Sequence, residues 1–188
     1  MQFKKIILAS KSPRRSHLLQ EAGLNFVVKT KEVEETYPED LEADKVAEYL
    51  AIKKAHASKD FIEKDTILLA ADSIVTLDDK IYGKPKDEED AFRILSTLSG
   101  KKHKVITGVC LLSNTKQKSF SSISLVQFEP LSDEEIRFYI EKFKPYDKAG
   151  AYAIQEWIGL TKIAKIEGLY SNIMGLPVAD VYKALLEF

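Results

Sequence analysis

The apolar run Ile6-Ile7-Leu8-Ala9 passes through Ser10-Lys11-Ser12 directly into Pro13 and an amphipathic segment that stops at Gly23. That is the pattern of a short apolar strand handing over to a helix. Ser12 reads as the N-cap and Pro13 as the first helical residue, with the helix running to Ala22. The next two residues, Arg14 and Arg15, have the wrong sign for their place, since a helix N-terminus carries partial positive charge. Either they point into water at a penalty of roughly a few tenths of a kcal/mol, or an anion lies between them, at N–H groups suited to phosphate. A twin-arginine export signal is excluded, because Ser16 to Gly23 mixes polar and apolar residues where such a signal needs an apolar core.

The rest of the chain keeps alternating helix and strand patterns. The first strand is expected at about Phe3 to Ala9 and a second at Asn25 to Thr30, followed by an acidic loop through Asp40. A helix spans about Ala43 to Lys59. Thr66 to Ala71 is a continuous apolar run, as in a strand buried on both faces. Ile74 to Leu77 and Lys80 to Tyr82 flank Asp78-Asp79 as a small hairpin. A third helix is expected from about Asp87 to Leu98, and a strand pair at Lys104 to Leu112 and Ser119 to Phe128. Ser132-Asp133-Glu134-Glu135 is a capping box that opens a helix ending before Pro145. A last strand is expected near Leu160 to Ile166, and Pro177 opens a C-terminal helix. Helices interleaved with hairpins predict an α/β fold on a mixed sheet, in a single domain over 1–188.

With 28 Lys+Arg against 29 Asp+Glu, the net charge is −1, so no global field recruits nucleic acid or an acidic membrane. Any anion site must be local. The lone cysteine, Cys110, makes no internal disulfide and fits a reducing compartment. The apolar runs are too short for a membrane span or a signal core. His17, His56 and His103 lack zinc-type spacing. A cytoplasmic, soluble protein with no nucleic-acid or membrane partner is expected.

Several residues carry candidate chemistry, each beside a plainer reading. Asp72 ends the run Ile67-Leu68-Leu69-Ala70-Ala71, at the strand end where α/β sheets place ligands; it is equally a turn aspartate. Lys54 falls on the stripe of Val46, Ala47, Leu50, Ala51 and Ala57, so its ammonium either snorkels outward or enters a crevice holding an anion. Lys84 sits on the constrained loop Gly83-Lys84-Pro85, which is also generic turn chemistry. Glu34 and Glu35 belong to a solvated acidic loop, or one of them shares a hard divalent cation with Asp72. Gln155 presents one donor group and one acceptor, complementary to O4 and N3–H of uracil or thymine, or is a surface glutamine. Taken together, Arg14, Arg15, Lys54 and Lys84 would neutralise a triphosphate, the acids would hold a metal and activate water, and the amide would read a base. That combination is metal-assisted phosphoanhydride hydrolysis.

At these residues the chain resembles the Maf family of nucleoside triphosphate pyrophosphatases. The likeness runs nearly end to end: Ser10-Lys11-Ser12-Pro13-Arg14-Arg15, Glu34-Glu35, Lys53-Lys54-Ala55, Ala71-Asp72-Ser73, Gly83-Lys84-Pro85, Leu98-Ser99-Gly100, His103 to Val109, Asp147-Lys148-Ala149-Gly150-Ala151-Tyr152 and Gly175-Leu176-Pro177. The resemblance implies an elongated sheet flanked by helices in two lobes with a deep cleft, often in a homodimer. It implies hydrolysis of a nucleoside triphosphate to the monophosphate and pyrophosphate with magnesium or manganese. By position it makes Asp72 the proton acceptor and puts Lys54, Lys84 and Glu35 in the catalytic set, with Glu35 and Asp72 at the metal. Ser10, Ser12, Arg14, Arg15, Ser73 and Gln155 become substrate-binding residues, of which Arg14, Ser73 and Gln155 bear on base choice. The form Ala151-Tyr152-Ala153-Ile154-Gln155 resembles the branch acting on dTTP and UTP, with 7-methyl-GTP hydrolysis as the alternative. Ser73 stands where that branch commonly has threonine, and Ala153 and Glu156-Trp157 where the family has small glycine-type residues, so the bulkier Trp157 is expected to reshape the pocket rim. A house-cleaning role on modified pyrimidine nucleotides is expected. A nucleotide-responsive inhibitor of septum formation, acting by binding alone, is the reading from another class.

Overall fold

The structure, a computed structural model, describes residues 4–188. The chain begins with β1 (Lys5–Leu8), α1 (Pro13–Glu21), β2 (Phe26–Val28), α2 (Ala43–Ala57), β3 (Thr66–Leu77) and β4 (Lys80–Tyr82). It continues with α3 (Glu88–Leu98), β5 (Lys102–Leu112), β6 (Gln117–Phe128) and α4 (Asp133–Phe143). It ends with α5 (Trp157–Thr161), β7 (Ile163–Glu167), α6 (Tyr170–Met174) and α7 (Val178–Leu186). Phe3, the expected start of the first strand, lies outside the described residues. Among the described residues the seven strands are ordered β2-β1-β3-β5-β6-β7, with β4 beside β3. β1 is parallel to β2 and β3, whereas β4 is antiparallel to β3 and β7 to β6. The sheet is mixed, as the interleaved pattern requires.

The chain folds into two compact units. The first comprises residues up to Asp72, Thr107–Ser122 and Gly175–Phe188. Its strands are apolar on both faces because each face is covered. Ile6, Leu8, Ile67 and Leu69 pack with Leu19 of α1 and Val181 and Leu185 of α7. Ile7, Leu68, Ala70 and Cys110 pack with Ala51 and Ala55 of α2 on the other. Alternation along a strand makes one continuous apolar run serve two cores. Gly108 of β5 lies under α2, and a Cβ there would stand 2.2 Å from the backbone at Ala47 and Glu48. The missing side chain lets the helix seat on the strand. Burial pushes the Cys110 thiol up to about 12, so it stays protonated in the core.

The second unit comprises Ser73–Ile106 and Ile123–Met174. Its core joins Val75, Leu77 and Tyr82 to Ile94, Leu95 and Leu98 of α3 and Ile136, Tyr139 and Ile140 of α4. Asp78 and Asp79 turn the hairpin with φ of 51° and 59°, the two positive values that a two-residue turn of the right twist demands. Ser132 and Glu135 form the expected capping box, with reciprocal bonds of 2.9 and 3.3 Å. His103 is a core histidine, its Nε2 2.8 Å from the Tyr152 hydroxyl and its ring edge-on to Phe128. Burial pulls it down to about 4, so it is neutral at physiological pH.

Two sequence expectations are corrected. β3 does not end at Asp72 but continues to Leu77, because the β-branched Ile74-Val75-Thr76 extends it and β4 pairs with its last residues. The segment from Leu160 is not strand: Trp157–Thr161 is a short helix and β7 starts at Ile163. That helix folds back so tightly that a Cβ on Gly159 would stand 1.6 Å from the Ile154 carbonyl oxygen. Five-residue helices such as α5 and α6 are shorter than the window in which helical periodicity becomes visible.

Candidate active site

Lys54 projects from α2 onto the sheet face that α2 covers. Asp72 stands on that same face, in step with Leu68 and Ala70 along β3, and is only 8% exposed. Lys54 Nζ donates to Asp72 Oδ1 at 2.5 Å and to Glu35 Oε1 at 2.7 Å. The inward lysine thus neither snorkels away nor stands alone; it bridges two carboxylates. Its neighbour Lys53 donates to Thr36 O and Oγ1 at 2.9 and 2.8 Å. Consecutive lysines therefore clamp the Glu35-Thr36 segment against α2. The Glu35 side chain remains 43% exposed.

Arg15 is partly buried at the start of α1. Its Nε donates to Gly175 O at 2.8 Å, and its Nη1 to Ala71 O at 2.8 Å and Ser10 Oγ at 3.1 Å. These bonds tie α1 to β3 and to the segment that precedes α7. Burial lowers the Arg15 pKa from its ordinary value, opposed by the charge of Asp72, reinforced by Arg14 and opposed by Glu35. The guanidinium is still cationic at any physiological pH. Ser12 takes the N-cap position, but its hydroxyl makes no cap bond, and its N–H goes to Ser10 Oγ at 3.3 Å. Ser10 thus anchors both the turn and Arg15.

Ser10, Arg15, Asp72, Lys54 and Glu35 form one connected group in the first unit, through the neighbours Ala71 and Asp72. Ser12 and the partly buried Arg14 adjoin it in sequence. Counting Arg14, the group holds three cations and two carboxylates, a balance that favours an added anion. Glu35 and Asp72 both reach a single ammonium nitrogen, so these hard oxygen donors fit a shared divalent cation. Among the described residues no cluster of three or more His, Cys, Asp or Glu side chains could hold a metal alone.

The remaining candidates belong to the second unit. Ser73 follows Asp72 on β3 and points to the opposite face. Lys84 is exposed on the loop after β4, and Gly83 O accepts the Gly150 N–H at 3.1 Å. Gly150 has φ of 70°, and a Cβ there would lie 2.7 Å from Val75 Cγ2. Ala151 follows with φ of 58°, a left-handed conformation that costs a non-glycine residue about 1–2 kcal/mol. Gln155 is exposed in the turn before α5. Trp157, partly buried, packs against Phe138 and Tyr139, at centroid distances of 5.3 and 6.4 Å.

Residue-by-residue reading misses Lys148, Tyr139 and Glu156. Lys148 is only 8% exposed and pairs with Asp147 Oδ1 at 2.7 Å and Glu156 Oε1 at 3.5 Å. Nothing in a short irregular segment signals a buried lysine, although Asp147-Lys148-Ala149-Gly150 stands among the residues carrying the family resemblance.

The family described as Maf-like protein matches residues 5–188. A dTTP/UTP pyrophosphatase of Phocaeicola vulgatus is 50% identical over 182 residues, which is 96% of this chain and 94% of the relative. One of Bacteroides thetaiotaomicron is 48% identical over 181 residues, with 96% and 94% coverage. The solved structure of the Staphylococcus aureus Ham1 protein aligns over 98% of both chains with a TM-score of 0.53 at 18% identity, a likeness of fold alone.

Proposed function

This chain belongs to the Maf family, and on that premise we propose that it hydrolyses dTTP and UTP to the monophosphate and pyrophosphate, with modified pyrimidine triphosphates as further substrates. The observation that carries this reading is Lys54 Nζ held between Asp72 and Glu35, beside the Arg15 guanidinium. Water attacks the α-phosphorus, a P–O bond forms as the α–β bridging bond breaks, pyrophosphate departs, and Asp72 takes the proton. Lys54, Lys84, Arg14 and Arg15 neutralise phosphate charge, which is where most of the rate of phosphoryl transfer originates. Ser10 and Ser12 shape the turn that receives phosphate oxygens. Glu35 and Asp72 would hold magnesium or manganese, which supplies charge neutralisation at the phosphate oxygens. Ser73 and Gln155 take part in base selection.

We place the whole chain, 1–188, in one functional domain acting in the cytoplasm as a homodimer, in a house-cleaning role. Among the described residues no helix is long and apolar enough to cross a membrane. Pyrophosphate release measured across common and modified nucleotides, with magnesium or manganese, is the test. Turnover is expected to be highest on dTTP and UTP; a preference for 7-methyl-GTP would overturn the assignment. Gln155→Glu is expected to lower kcat/KM on UTP about 10–100-fold, because the carboxylate cannot donate to O4 and leaves that acceptor unpaired. Unchanged selectivity among UTP, dTTP and CTP would remove Gln155 from base reading. An effect on septum formation that persists in an Asp72→Asn protein would point to nucleotide binding alone.

A further inference from the structure

The turn that carries the exposed Gln155 is held by one buried phenol, through the backbone of Ala153 and the side chain of Glu156. Tyr139 of α4 is fully buried, stacked on Phe143 at 5.0 Å between centroids and on Trp157 at 6.4 Å. Its oxygen accepts the Ala153 N–H at 3.1 Å and its hydroxyl donates to Glu156 Oε2. The Glu156 N–H closes the turn on Ala153 O at 3.1 Å. Glu156 Oε1 lies 3.5 Å from Lys148 Nζ, and that buried ammonium is also bound to Asp147. Burial, and then the bond to Glu156, raises the Tyr139 pKa, so the phenol keeps its proton and its donor role at neutral pH.

We propose that Tyr139, Glu156 and Lys148 are positioning residues that orient Gln155 for pyrimidine selection, an inference that rests on the base-reading role given to Gln155 above. A glutamine side chain has several free rotors, and an exposed one loses that freedom when it pairs with a base. A Cα that is already fixed adds no further loss of backbone freedom to that cost. An amide paired to a base through two hydrogen bonds also needs both at once, so a small displacement of the turn weakens both. Tyr139 pins this turn at Ala153 and at Glu156, the residues that bracket Gln155, while Lys148 holds the carboxylate that receives the phenol.

A double-mutant cycle tests the proposal. Tyr139→Phe and Glu156→Gln are each measured alone and with Gln155→Ala, reading kcat and KM on dTTP, UTP and CTP, with thermal melting alongside. Either single substitution is expected to raise KM for dTTP and UTP roughly 3- to 10-fold with kcat nearly unchanged. In the Gln155→Ala background the same substitutions are expected to change KM no further. A KM rise of equal size in that background, or no KM rise at all, overturns the positioning role while Gln155 keeps its own. If Gln155→Ala alone leaves the preference for dTTP and UTP over CTP intact, the base-reading role falls and this inference with it, but hydrolysis stands. Should Tyr139→Phe fail to fold, Glu156→Gln decides the matter, since Lys148 keeps Asp147 as its partner.

Discussion

Asp72→Asn is expected to lower kcat on dTTP and UTP by about 10²–10⁴-fold, the usual span for losing a general base. Asparagine has nearly the shape of aspartate, so it fills the same place on β3, where Asp72 is 8% exposed beneath α2. What disappears is the negative charge that Lys54 meets at 2.5 Å, and with it the ability to accept the proton from water. Lys54 keeps Glu35 at 2.7 Å, so no cation is stranded and folding is expected to be preserved. Steady-state turnover with a thermal melt on the same sample separates the two quantities. Near-normal kcat in a normally melting protein would take the proton-acceptor role from Asp72.

Gly108→Ala has the largest expected effect on folding. The added methyl would meet the backbone of α2 at 2.2 Å, at Ala47 and Glu48, where no side chain is present to rotate away. The helix has to lift from β5, opening the contacts of Ala51 and Ala55 with Leu68, Ala70 and Cys110. A destabilisation of about 3 kcal/mol is expected, which for a chain of this length lowers Tm by about 6–12 °C. The same displacement carries Lys54 away from Asp72, so turnover should fall even at temperatures where the variant is folded. A melt within about 1 °C of the parent protein would show that α2 does not depend on this close approach.

The two substitutions locate the boundary between what is local and what is not. The capping box at Ser132 and Glu135 is legible because both partners lie within one turn of chain, and the Asp78-Asp79 hairpin because two residues suffice to make it. Lys54 is legible in part. Helical period alone puts it on the buried stripe, but its partners Glu35 and Asp72 lie 19 and 18 residues away. Arg15 reads as an anion ligand from its sign at a helix N-terminus. Its bonds to Ala71 O and Gly175 O, 56 and 160 residues distant, are backbone contacts that leave no trace in residue type. The extent of β3 escapes the sequence for a related reason. A polar residue closes an apolar run in sequence, but a strand continues through it when a neighbour such as β4 supplies pairing and a lysine satisfies the carboxylate.

By itself, then, the sequence determined the α/β class, most of the element types, the two-sided burial of β3, and which acidic and basic residues were candidates for chemistry. These follow from periodicity, capping and charge sign, which act over a few residues at a time. Only the tertiary structure decided that Lys54 would bridge Asp72 and Glu35, that Arg15 would brace three separate segments, and that Tyr139 would hold both flanks of Gln155. Those outcomes depend on how closely helices seat on the sheet, and that distance is set by side chains, or by their absence at Gly108, far away along the chain.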